Sequence, residues 1–221
     1  MIYKVVETFI SINGEGQHAG ELALFIRFAG CNLNCNYCDT RWANQPDVVY
    51  QEMTETEIKA LVTDSGVRNV TLTGGEPLLQ PGMYQLLETI GSLPDIRIEI
   101  ETNGSVDIEP YMTLIRRPAF TLDYKLPGSG MEAGMNTENY RYLTKEDTVK
   151  FVISDKADLT RAREIIEQYQ LEGRCGIYYS PVFGRIRPAE IVDDMIEHRL
   201  NGVHMQLQMH KFIWDPEQRG V

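Results

Sequence analysis

Short extended runs recurring along the chain constrain its fold most. β-branched and aromatic residues gather at 22–28, 68–73, 96–101, 119–123, 148–153, 175–180 and 203–208, and residues 2–9 add one more run at the start. Helical patterns lie between several of them. Thr54 to Glu57 reads T-x-x-E, a capping box that opens a helix, and Ile58, Leu61 and Val62 follow on one face. Residues 157–171 set Leu159, Ala162, Ile165, Ile166 and Tyr169 at helical spacing. Pro188 stands where a helix can start, ahead of Ile191, Val192, Met195 and Ile196. Pro110 to Arg116 leaves room for barely two turns. Strands alternating with helices imply a mainly parallel sheet. In 221 residues the pattern predicts an α/β fold: a partial, modified (β/α)6-type barrel, its later helices short or missing. It also predicts one domain over residues 1–221. Such sheets carry their functional loops at the carboxyl ends of the strands.

The first of those ends holds the most specific chemistry. After the run 22–28 come Gly30-Cys31-Asn32-Leu33-Asn34-Cys35-Asn36-Tyr37-Cys38-Asp39-Thr40, spaced C-x3-C-x2-C. Three thiolates on one short loop can bind three irons of a cubane, and full ligation would need a fourth cysteine. The remaining cysteine, Cys175, lies in an apolar run with no motif around it, which fits a buried, inert thiol. A missing ligand leaves one iron open, as catalytic metal sites require. A structural zinc site is the alternative; zinc prefers four protein ligands, and neither His18 nor Cys175 has a local signature for completing the set.

Two later strand ends fit the open-iron reading. Thr73-Gly74-Gly75-Glu76-Pro77 follows the run 68–73, and glycines there let a ligand approach the backbone closely; a simple tight turn is the other reading. Glu101-Thr102-Asn103-Gly104 closes the next run, either as an Asn-Gly turn or as a polar contact to a ribose.

Together these motifs resemble the radical S-adenosylmethionine superfamily, from about residue 5 to the end. The resemblance implies a [4Fe–4S] cluster on Cys31, Cys35 and Cys38. Its open iron would be chelated by the amino and carboxylate groups of S-adenosylmethionine, and one electron would yield methionine and a 5′-deoxyadenosyl radical. Tyr37, Cys38 and Asp39 would lie along the adenine. Gly74, Gly75 and Glu76 would hold the methionyl amine, Thr102 the ribose side, and Asp123, Tyr124 and Lys125 the polar end of the cofactor.

The N-terminal segments narrow the resemblance. Glu7-Thr8-Phe9, Ile12-Asn13-Gly14-Glu15-Gly16, Phe25-Ile26-Arg27-Phe28 and Cys38-Asp39-Thr40 are similar to those of the 7-carboxy-7-deazaguanine synthases, carbon–nitrogen lyases of queuosine and deazapurine biosynthesis. Their pattern is usually Q-G-E-G, so Asn13 departs from it by one methylene. The implied substrate is 6-carboxy-5,6,7,8-tetrahydropterin, which loses a hydrogen from C6, contracts its ring and releases ammonia. S-adenosylmethionine would be regenerated, and no side chain is given a catalytic role beyond the cluster and cofactor. Mg2+ is implied on Thr40 and the substrate carboxylate, both hard oxygen donors. Arg27 can pair bidentately with a carboxylate, or be a surface charge on an alternating strand. Glu15 and the backbone of Ile12 to Gly14 can bind the pterin edge, and Thr73 its ring. His210 either faces the substrate or is a rim histidine. The terminal carboxylate of Val221 is a further candidate.

Two other readings share parts of this sequence: a glycyl-radical-enzyme activating enzyme, and a non-catalytic iron–sulfur module. Neither needs the Asn13 to Gly16 segment. A net charge of −11 speaks against nucleic acid as a partner. Near the start, the longest dense apolar stretch is Leu22 to Ile26, far short of the ~20 residues of a membrane span. The start, MIYKVVETF, has no basic region followed by an apolar one, so a cytoplasmic protein is expected. The open edges of a partial barrel need cover, which a homodimer would give. The family implies flavodoxin or ferredoxin as electron donor.

Overall fold

Strand alternation organises the molecule. The computed structural model describes residues 1–216 and 218–221. Its strands are β1 (Ile2–Ile12), β2 (Leu22–Phe28), β3 (Gln51–Thr54), β4 (Asn69–Gly74), β5 (Arg97–Thr102), β6 (Ala119–Tyr124), β7 (Thr148–Ile153), β8 (Gly176–Pro181) and β9 (His204–Met205). They form one nine-stranded open sheet in the order β3-β1-β2-β4-β5-β6-β7-β8-β9. From β2 onward every neighbouring pair is parallel. β1 runs antiparallel to both β2 and β3. The expected α/β architecture, mainly parallel and unclosed, is therefore present.

One face of β2 and of β4 to β8 is apolar and buried. Leu24, Ile26, Val70, Leu72, Ile100, Phe120, Leu122, Val149, Phe151 and Ile177 are at most 2% exposed, each contributing about 1.5–3 kcal/mol of burial. They join one core with residues of α1 (Glu55–Ser65), α2 (Met83–Gly91), α3 (Lys156–Gln168) and α4 (Pro188–Glu197). Thr54 caps α1 through a complete capping box, and Asp155 caps α3. The short or missing helices lie in the middle of the chain, not late in it. β5 reaches β6 through a 3-10 turn at Glu109–Thr113, and β6 reaches β7 through three more such turns. There Ile108, Tyr111, Leu114, Leu126 and Tyr140 fill the layer a helix would occupy.

The intervening residues face the other way and are polar: Arg27, Thr71, Thr73, Glu99, Glu101, Thr121, Asp123, Lys150 and Ser180. Period two in the strands thus gives one face to the core and the other to chemistry.

Three departures from the sequence reading have local causes. β1 extends to Ile12, past the expected end at 9, because Ile10, Ser11 and Ile12 keep pairing with β2. β3 escapes the hydrophobic pattern as an edge strand whose one buried side chain is Met53. The run 203–208 shrinks to His204–Met205; just beyond it the Gln206 amide still donates to Tyr179 O at 2.8 Å while its side chain clamps the backbone of Gly16. The terminal α5 (His210–Ile213) is a single turn. Among the described residues, no helix is long and apolar enough to cross a membrane.

Candidate active site

The cysteine loop leaves β2 through Gly30, whose φ of +89° suits glycine. It is anchored from three sides. The amide of Asn36 donates to Ser129 O at 2.9 Å and that of Cys38 to Cys35 O at 3.3 Å. Arg41 donates to Cys35 O at 2.7 Å. The amide of Leu33 and Nδ2 of Asn103 reach Cys31 Sγ at 3.4 and 3.5 Å. Cys35 is buried, Cys31 and Cys38 half-buried. Burial pushes the Cys35 and Cys38 thiols up, and the neighbouring sulfurs add to it.

These residues fit a cluster bound through three thiolates. Three thiolates on one loop, each for a separate iron, are the kind of donor set that holds an iron–sulfur cubane. Two N–H donors, the Leu33 amide and Asn103 Nδ2, already point at Cys31 Sγ. Cys175 is distant from this loop in the fold: its thiol approaches Leu171 O, and burial pushes it up to about 11.

The glycine pair at the end of β4 packs backbone against backbone. A Cβ on Gly74, at φ +140°, would stand 2.2 Å from Phe28 O; one on Gly75 would stand 2.1 Å from Gly30 O and from Asn44 Oδ1. Asn44 Oδ1 is itself buried with no hydrogen-bond donor among the described residues, an acceptor beside the segment suited to an ammonium group. Glu76 is fully buried and turns into the protein. Its carboxylate accepts from Thr102 Oγ1 at 2.9 Å, from the Asn103 amide at 2.7 Å and from the Leu78 amide at 3.0 Å. Burial pushes it up to about 7. Glu76 and Thr102 thus tie the ends of β4 and β5 together.

The polar face of the sheet gathers most of the remaining candidates. Arg27 Nε pairs with Glu7 Oε1 across β1 and β2 at 2.7 Å; among the described residues its two Nη groups have no partner. Thr73 donates to Glu101 Oε2 at 2.7 Å. After Ile12, the loop 13–20 is pinned to this face. The buried Asn13 accepts from Thr71 at 3.0 Å. Gly14 packs against the His210 ring, with Nδ1 3.2 Å from where its Cβ would be. Glu15 accepts from Ser180 at 2.7 Å and from Lys150 at 3.3 Å. His210 feels Glu15, Lys211, Asp39 and Arg27, and burial pushes its pKa down.

Asp123 ends the inner row of β6, 2.6 Å from Lys125 Nζ and 3.2 Å from Lys150 Nζ. Burial raises its carboxyl, but the two ammonium groups outweigh that and hold it below the usual range. Tyr124 lies outside this cluster. Strand alternation turns it to the core face, where it packs on Phe151 and donates to Glu132. Tyr37 donates to Val152 O at 3.1 Å and lies under Arg185. Asp39 is exposed and accepts from Thr40 Oγ1 at 3.0 Å. Val221 is half-buried at the end of a tail whose Arg219 stacks on Trp42, two residues past Thr40.

Lys150, Ser180 and Gln206 are site neighbours that the sequence reading gave no role. Lys150 had a signal: it is the charged inward position in Thr148-Val149-Lys150-Phe151. The other two look like ordinary strand-end polars until the fold brings them together.

The Radical SAM superfamily profile matches residues 25–124. A 7-carboxy-7-deazaguanine synthase of Clostridium acetobutylicum is 56% identical over 221 residues, covering all of both chains. One from Chlorobaculum tepidum is 36% identical, covering 98% of this chain and 96% of its own. The crystal structure of QueE from Escherichia coli aligns with a TM-score of 0.72 at 20% identity, over 94% of each chain, and shares the fold. The chain belongs to the 7-carboxy-7-deazaguanine synthase family of the radical S-adenosylmethionine superfamily.

Proposed function

We propose that the protein contracts the ring of 6-carboxy-5,6,7,8-tetrahydropterin to give 7-carboxy-7-deazaguanine and ammonia, as one catalytic unit over residues 1–221. The observation carrying this is the meeting of two half-sites at the start of α5: the His210 ring packs on Gly14 of the loop 13–20, and Lys211 Nζ lies 3.9 Å from Asp39 Oδ2 of the cysteine loop. When bound, the cluster and S-adenosylmethionine supply the radical that takes a hydrogen from the substrate and later returns it.

The chain's own residues bind and orient. Cys31, Cys35 and Cys38 hold the cluster. Gly74, Gly75 and the carbonyls around them take the methionyl amine, while Glu76 and Thr102 fix that backbone from behind. Tyr37, Cys38 and Asp39 lie along the adenine, and Asp123 and Lys125 face the polar end. On the substrate side, the free Nη groups of Arg27 suit a carboxylate. Glu15 and the backbone of Ile12 to Gly14 suit the donor-rich pterin edge, with Thr73 on the ring. His210 reads as a substrate neighbour, not a rim residue, since it packs on Gly14. It stays neutral at neutral pH, because burial lowers its pKa. Thr40 would hold Mg2+ with the substrate carboxylate, and the Val221 carboxylate would close the pterin pocket.

A homodimer, reduction by flavodoxin or ferredoxin, and a cytoplasmic location belong to the same reading; that compartment keeps thiols reduced. The decisive experiment incubates reconstituted, reduced protein with S-adenosylmethionine, Mg2+ and the carboxypterin without oxygen. Formation of 7-carboxy-7-deazaguanine is expected. Cofactor cleavage without that product would sink the proposal, and radical formation on a glycyl-enzyme partner instead would favour the activating-enzyme reading.

A further inference from the structure

Lys150 sits where the two half-sites touch. It is 8% exposed, near the middle of β7, on the polar face of the sheet. Its ammonium donates to Glu15 Oε2 at 3.3 Å and forms an ion pair with Asp123 Oδ1 at 3.2 Å. The second oxygen of Glu15 accepts from Ser180 at 2.7 Å. The second oxygen of Asp123 accepts from Lys125 at 2.6 Å. The result is a row, Ser180–Glu15–Lys150–Asp123–Lys125, in which charge alternates along buried groups.

We propose that Lys150 is a positioning residue that holds the substrate-side loop, through Glu15, to the cofactor-side strand end, through Asp123. This rests on the roles proposed above for those two carboxylates. The physical argument is one of compensation. A buried ammonium costs several kcal/mol unless it is paired, and here two carboxylates pair it from two different elements. Burial pushes its proton off; Asp123, Glu15 and Glu101 outweigh that and keep it charged. The backbone on either side of Glu15 is held by Asn13 on Thr71 and by Gln206 on Gly16; its carboxylate is held by Lys150 and Ser180. Without the ammonium, Glu15, Glu101 and Asp123 would repel one another, and the loop would lose its electrostatic tie to β6.

The test measures equilibrium binding of S-adenosylmethionine and of the carboxypterin to the reconstituted protein, for wild type and four variants. Lys150→Met should weaken both ligands by about tenfold or more. Glu15→Gln should weaken the pterin alone, and Asp123→Asn the cofactor alone. Lys150→Arg, which keeps the charge, should recover both affinities to within about threefold. Lys150→Met affinities within about twofold of wild type would overturn the proposal, as would a loss that Lys150→Arg does not recover. If Lys150→Met fails to fold, Glu15→Gln/Lys150→Met removes one charge of each sign. It should bind S-adenosylmethionine more weakly than Glu15→Gln alone, and equal binding would overturn the proposal. Should the wild type not bind the carboxypterin, the proposed function falls, while the S-adenosylmethionine measurements still decide the role of Lys150.

Discussion

Single atoms decide what the glycine pair can do. A methyl group on Gly75 would meet Gly30 O at 2.1 Å, a backbone atom that cannot step aside as a side chain can. Gly75→Ala should cost about 2–4 kcal/mol of stability, read from urea unfolding. The same shift moves the carbonyls proposed for the methionyl amine, so S-adenosylmethionine should bind about tenfold more weakly or worse, read by equilibrium dialysis. An unperturbed variant would mean that the β2 and β4 ends are looser than the packing shows. At Thr40 the hydroxyl already points to Asp39 Oδ1 at 3.0 Å, so both oxygens can turn to one cation. Thr40→Ala should reduce the Mg2+ response of turnover while the visible absorbance of the cluster stays as in wild type. An unchanged Mg2+ titration would remove Thr40 as a ligand. Residue identity had shown these positions. It had not shown that Tyr124 turns away or that Glu76 is buried; those follow from which side of a strand, or of a bend, each side chain takes.

Among the elements, α1 illustrates a part whose construction is separable from the site. Its start is fixed by Thr54 and Glu57, with Thr54 Oγ1 accepting the Glu57 amide at 3.3 Å and the Glu57 carboxylate accepting the Thr54 amide at 2.7 Å. Thr54→Ala should cost about 1 kcal/mol in urea unfolding and leave binding of both ligands unchanged. A change in ligand affinity would show that the β3–α1 corner reaches the site. The capping box, Pro188 and the apolar spacing of 157–171 were all legible, because helix starts and amphipathic stripes are written in local sequence. The 3-10 turns between β6 and β7 were not, because no periodicity marks them and tertiary packing of Leu126 and Tyr140 holds them in place.

At the scale of the molecule, a sheet with one apolar and one charged face must bury charges to build its site. Glu99 shows the consequence. Burial raises its carboxyl to about 7 from an ordinary 4.5, the Thr121 bond opposes this, and Glu101 adds to it. Between those values the folded chain binds more protons than the unfolded one, so stability falls as pH rises. Glu99→Gln should match wild type near pH 4 and exceed it by about 1–3 kcal/mol near pH 8, followed by urea midpoints across the range. A difference that does not vary with pH would rule this out. Asp123 acts in the opposite sense, stabilising above its ordinary value and losing that contribution as pH falls.

The sequence by itself determined the alternation of strands and helices, the three-cysteine loop with its missing fourth ligand, and the resemblance carried by Asn13 to Gly16, Arg27 and Cys38 to Thr40. These are local patterns, and spacing along the chain contains them. Only the tertiary structure decided that Asn13 meets Thr71, that Gly14 rests on His210, and that Lys150 joins Glu15 to Asp123. Each of those pairs is far apart in sequence. A parallel sheet lines up the ends of strands whose separation along the chain is set by crossovers, and one loop folded across its polar face turns scattered charges into a site.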